Sequence, residues 1–135
     1  MKLRLELVPV PVSDVDRAKT FYQQVGFNAD HDTKVSDEIR FVQLTPPGSA
    51  CSIVIGGPTD LKPGSLQGLH LVVSDIRAAR ADLVERGVEI SDVQVYDSGS
   101  MRPSRDGDAL DNVGFAYFSD PDGNGWALQQ ISARE

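Results

Sequence analysis

His70 and Gln129 are the two side chains of this sequence whose types and setting best suit contact with a ligand. An imidazole can donate or accept a hydrogen bond, carry a proton near neutral pH or hold a metal, and a glutamine amide beside it adds another donor and acceptor. Both lie in apolar runs of strand type, Leu69-His70-Leu71-Val72-Val73 and Trp126-Ala127-Leu128-Gln129-Gln130-Ile131. Alternation along a strand puts Gly68 with His70 on one face, and Ala127 with Gln129 likewise. Trp126 falls on the opposite side, where it is expected to pack against a helix.

Other reactive groups give less. Met101, Arg102 and Arg105 stand in Tyr96 to Asp111, a Gly/Ser/Asp-rich stretch without apolar period that reads as a long loop, a lid or a binding loop. Its arginines could clamp a ligand carboxylate or join Asp106 and Asp108 in a surface network. His31 lies between Asp30 and Asp32 and reads as solvated surface, and Cys51, with no histidine beside it, reads as a small buried group. Asp120-Pro-Asp122-Gly-Asn124-Gly125 matches the first half of a calcium loop. Its twelfth position is Ile131, however, and a strand follows where a helix is required, so turn chemistry explains it. The glycines between Gly64 and Gly68 form no phosphate loop.

The elements that must carry these residues come in two copies. Val10-Pro11-Val12-Ser13-Asp14-Val15-Asp16-Arg17-Ala18 returns as Leu71-Val72-Val73-Ser74-Asp75-Ile76-Arg77-Ala78-Ala79, and the same offset pairs Gly26 with Gly87 and Phe27 with Val88. Ser13 or Asp14 can cap the first helix, with Asp16 at its positive end. Val15, Ala18, Phe21, Tyr22 and Val25 share one helical face, as Ile76, Ala79 and Leu83 do in the second copy. Each copy then runs strand, turn, strand: Arg40–Leu44 and Cys51–Ile55 in one, Val113–Phe118 and Trp126–Ile131 in the other. Aligning Gly48 with Gly123 makes Ser52 the counterpart of Ala127. The chain therefore reads as α+β: two tandem β-α-β-β-β modules, 1–57 and 67–131, joined by a linker at 58–66. They are expected to form a curved, incomplete-barrel mixed sheet around a central cleft.

Composition narrows the function. With 135 residues and 40% apolar content, the chain can bury one core unaided. One cysteine allows no internal disulfide, and no apolar stretch suits a signal or a membrane span, so a soluble, cytoplasmic protein is expected. A net charge of −7 argues against nucleic acid. The second half carries most of that charge, which fits either solubility or a pocket that attracts a cation.

The Val-Ser-Asp strand end, the Arg17–Phe27 helix reading Arg-Ala-x-x-Phe-Tyr-x-x-x-Gly-Phe, and Asp-Pro-Asp-Gly-Asn before the last strand resemble the glyoxalase / bleomycin-resistance / extradiol-dioxygenase (vicinal oxygen chelate) superfamily. The resemblance implies a homodimer, and a function among lyases, isomerases, dioxygenases and non-catalytic drug-binding proteins. The metal that its enzymes use would sit at positions occupied here by Leu7, Ser52, Gly68 and Ala127, none a good donor, so no metal is expected. A shifted divalent site through His70 and Gln129 is the alternative, and it lacks a third donor, since the first copy offers only Pro9 and Val54 at that depth. The expected cleft lining is Leu7, Pro9, Ser52, Gly68, His70, Met101, Arg102, Ala127 and Gln129. The expected ligand is a small organic molecule, cationic or aromatic, bound without catalysis; an enzyme working metal-free or through the shifted site is the alternative.

Overall fold

Asp14 and Asp75 start the two helices in the same way. Each is extended, and its carboxylate accepts from a first-turn amide, of Arg17 at 3.0 Å and of Ala78 at 3.1 Å. Helix α1 runs Val15–Val25 and α2 runs Ile76–Glu85; Gly26 and Gly87 follow with positive φ, as the end of a helix favours. The computed structural model describes residues 1–134. Among them are nine strands in two open sheets, and the chain divides into two compact units.

The first unit holds residues 1–66 together with 120–124. Its strands are β1 (Leu7–Val10), β2 (Asn28–Lys34), β3 (Arg40–Thr45) and β4 (Ser52–Gly56), in the order β1-β4-β3-β2. β1 and β4 are parallel, which needs a crossover, and α1 supplies it and packs on the sheet. The predicted apolar stripe closes the core where Ala18 and Tyr22 meet Val42, Leu44, Ile53 and Ile55, all buried. β2 is polar and forms the sheet edge, where Asp32 binds both Lys19 and Arg40.

The second unit holds 67–119 and the residues from Gly125 onward. Its strands are β5 (Leu69–Val73), β6 (Gln94–Asp97), β7 (Ser100–Pro103), β8 (Gly114–Ser119) and β9 (Gly125–Gln130), in the order β5-β9-β8-β6-β7. α2 packs on β8 and β9, with Ile76 and Leu83 buried beside Ala116, Phe118, Trp126 and Leu128. Here the sequence reading is corrected. The stretch beginning at Tyr96 does not start as a loop but forms a hairpin, β6–β7, which gives this sheet a fifth strand. Ser98 (φ 53°) and Gly99 (φ 91°) both take left-handed conformations, the geometry of a two-residue hairpin turn.

Candidate functional site

The exposed face of the second sheet gathers the chemistry. The register sets His70 and Tyr117 on either side of Ala127, and Phe115 beside Gln129. The Phe115 and Tyr117 rings lie parallel, centres 6.3 Å apart and planes 4° from parallel; the His70 ring meets Phe115 edge-on at 6.2 Å. Tyr117 stays 42% exposed, so this aromatic surface faces outward. His70 Nδ1 lies 3.3 Å from Gln129 Oε1. When Nδ1 carries the proton this is a hydrogen bond, and Nε2 is left as an outward acceptor. Gln129 Nε2 in turn donates to the Asn112 carbonyl at 3.0 Å, which fixes the direction of the amide.

A cavity of about 360 Å³ opens at the end of this face, its lining including Gln67, Gly68, His70, Tyr117, Ser119 and Ala127. That volume lies at the small end of the range for organic ligands. Gly68 precedes the strand proper, with φ +85° and no atom within 4 Å of an added Cβ, and so leaves the cavity mouth open. Trp126 is buried on the opposite face of β9, stacked on Phe118.

Leu7, Pro9 and Ser52 belong to the first unit, where Leu7 pairs with Ser52 and Pro9 with Val54. Ser52 is 5% exposed, its hydroxyl 2.6 Å from that of Thr45. Met101 and Arg102 lie on β7, away from the cavity lining. Arg102 is no clamp for a ligand. It donates to both carboxylate oxygens of Asp108, at 2.9 and 3.0 Å, to Asp97 at 3.0 Å and to the Pro103 carbonyl. These bonds hold the Asp97 and Asp108 carboxyls below their ordinary range and raise the arginine.

The register also corrects the alignment of the copies. Pro9 pairs with Val54 as His70 pairs with Ala127, and Gln43 opposes Val54 as Tyr117 opposes Ala127. Val54, not Ser52, is therefore the counterpart of Ala127. The β3–β4 turn is one residue longer than the β8–β9 turn and its glycine is placed differently, so matching the glycines slipped β3 by one residue and β4 by two. Of the positions where the resemblance would put a metal, Leu7, Gly68 and Ala127 carry no donor side chain, and the Ser52 hydroxyl is buried against Thr45. Among the described residues no group of three or more His, Cys, Asp or Glu side chains converges as a metal site would require.

Asp120 shows what its motif does. One carboxylate oxygen accepts from the amides of Asp122, Gly123 and Asn124, and the other from the buried Tyr22 hydroxyl at 2.7 Å and from Asn124 Nδ2 at 2.8 Å. Asn124 also donates to the Pro11 carbonyl, and Asp122 accepts from Ser13. The carboxylates close the first unit and have no oxygen to spare for calcium.

Phe115 and Tyr117 are the residues that sequence reasoning missed. Both stood in a quoted strand, and period-two alternation from Ala127 across the tight turn was the signal that could have found them.

The family model described as "Glyoxalase/Bleomycin resistance protein/Dioxygenase superfamily" matches residues 4–128. Among solved structures, TnmS3, an antibiotic binding protein from Streptomyces sp. CB03234, is 34% identical with a TM-score of 0.73, over 97% of this chain and 98% of its own. A glyoxalase/bleomycin resistance protein from the same organism is 35% identical, covering 94% and 100%, with a TM-score of 0.70. A superfamily member from Sphaerobacter thermophilus DSM 20745 is 29% identical, covering 96% and 98%, with a TM-score of 0.71. No curated protein matches the chain significantly. No helix among the described residues is long and apolar enough to cross a membrane.

Proposed function

The chain belongs to the Glyoxalase/Bleomycin resistance protein/Dioxygenase superfamily, and we propose that it binds a small aromatic molecule on the exposed face of its second sheet, without a metal. The observation that carries this reading is the parallel Phe115–Tyr117 pair, with Tyr117 exposed, beside the His70–Gln129 couple and the adjoining cavity. A planar ligand can make aromatic contacts with these rings, each contact adding about 0.5–1.5 kcal/mol beyond buried area. His70 Nε2 is then the orienting acceptor at its edge, held in place by Gln129 and Asn112. Aromatic character is favoured over cationic character, because no carboxylate lines the cavity. In the same half of the chain Asp97, Asp108, Asp111, Asp120 and Asp122 are already bonded within the protein. The antibiotic-binding description of TnmS3 supports the same direction.

The test is a thermal-shift screen of aromatic antibiotics and metabolites on protein treated with EDTA. A ligand at 100 times its Kd adds about 2.7 kcal/mol to stability. A stabilising compound whose effect survives EDTA and is lost in Tyr117→Ala supports the reading. Stabilisation that requires an added divalent ion would instead favour the shifted site at His70 and Gln129, and with it an enzyme.

A further inference from the structure

The first turn of a helix favours acidic side chains over basic ones, because its unpaired amides make that end positive. α1 follows this rule with Asp16, whereas α2 has no acid in its first turn and carries Arg77 at the equivalent position. In the first unit the charges beside the helix close among themselves. Arg40 binds Asp16 and Asp32, and Asp32 also binds Lys19, so two cations meet two carboxylates. In the second unit Arg80 takes the place of Lys19 and binds Asp92 at 3.2 Å, while Gly114 takes the place of Arg40. Among the described residues no carboxylate pairs with Arg77. Two guanidinium groups are left with one carboxylate, and that one is 85% exposed.

A cavity of about 290 Å³ opens against these groups, lined by Arg77, Arg80, Asp92, Val93, Pro103 and Ser104. It shares no residue with the cavity at His70 and Tyr117. Main-chain carbonyls anchor both arginines: Arg77 Nη2 donates to that of Arg105 at 3.0 Å, and Arg80 Nε to that of Ser91 at 2.8 Å. A guanidinium has several N–H groups, so each keeps donors to spare. We propose that this cavity binds the carboxylate of a small organic acid. Arg77, Arg80 and the Ser104 hydroxyl hold the charged end, and Val93 and Pro103 receive a short aliphatic part. The ligand supplies the acid that Asp16 supplies in the first copy. A guanidinium matches a planar carboxylate with two parallel N–H bonds, which favours it over a spherical anion such as chloride. A single negative charge also balances the one cation in excess, which a phosphate dianion would overshoot.

The test is an NMR titration of the isotope-labelled full chain with sodium isobutyrate, with sodium chloride at equal ionic strength as control. Isobutyrate is expected to shift the amide signals of Arg77, Arg80, Val93 and Ser104 saturably. A Kd of about 1–10 mM suits a ligand of so few atoms. Arg77→Gln, an exposed change that keeps helix propensity, is expected to weaken binding about tenfold and leave the rest of the spectrum in place. Ser104→Ala should weaken it about threefold. No saturable shift up to about 50 mM isobutyrate overturns the proposal. So does an equal response to chloride, undiminished binding in folded Arg77→Gln, or inorganic phosphate binding there more tightly than isobutyrate.

Discussion

At five equivalent positions on the exposed sheet faces, the first copy carries Pro9, Phe41, Gln43, Val54 and Gly56, and the second carries His70, Phe115, Tyr117, Ala127 and Gln129. The backbone pairing is the same in both. What differs is that the second face gains an imidazole, a second aromatic ring and an amide that orients the imidazole, while its central position shrinks from valine to alanine. One duplicated scaffold thus holds a plain face and a functionalised one. The turns joining the last two strands diverge as well: Pro46-Pro47-Gly48-Ser49 is mostly exposed, whereas Asp120 and Asn124 are buried and bonded.

The turn comparison carries the largest expected effect. Asp120→Ala should leave several buried donors unsatisfied and cost about 3 kcal/mol or more, while Pro47→Ala should stay within about 0.5 kcal/mol. Urea unfolding of the two variants checks this, and equal costs would remove the distinction. Next comes the face. Tyr117→Gln, which installs the first copy's residue, should weaken ligand binding about tenfold with little change in stability, and Phe115→Ala similarly. The reciprocal Gln43→Tyr should create no binding, since Pro9 and Gly56 stand where the second copy has His70 and Gln129; titration by intrinsic fluorescence separates these outcomes. Gln129→Gly, again the first copy's residue, should cost less, about threefold to fivefold, by releasing His70.

The smallest contrast concerns pH. Asp97, Asp108 and Asp111 in the second unit and Asp32 in the first all have carboxyls depressed by partners: Arg102 for Asp97 and Asp108, the Ser132 hydroxyl for Asp111, and Arg40 followed by Lys19 for Asp32. A depressed carboxyl contributes stability above its unfolded pKa of about 4, and that stability is lost as pH falls below it. Melting temperature should therefore be flat from about pH 7 to 5 and fall below about pH 4. Arg102→Ala should flatten part of that fall, and a profile unchanged by the variant would show that the Arg102 network contributes nothing.

The duplication was legible because its strongest signals are local: a capping aspartate, a helical stripe and a glycine stop. Face assignments travelled less well. Aligning Gly48 with Gly123 ignored that the two turns differ in length and in where their glycine falls, and so gave Ala127 the wrong counterpart. The β6–β7 hairpin escaped because Val95 is the only buried residue in either strand, leaving no alternation to read; its Ser98-Gly99 turn was the one available clue. Arg102 looked available in sequence, since nothing linear shows that Asp97 and Asp108 fold back onto it. Phe115 and Tyr117 became visible as a surface only once β8 and β9 were in register.

The most direct measurement is isothermal titration of a compound from the screen against EDTA-treated wild type and a Phe115→Ala/Tyr117→Gln double variant. The account predicts stoichiometric, metal-independent binding to wild type and loss of about two orders of magnitude in affinity in the variant, the sum of two aromatic contacts. Undiminished affinity in a folded double variant, or binding that appears only when a divalent ion is restored, would contradict it.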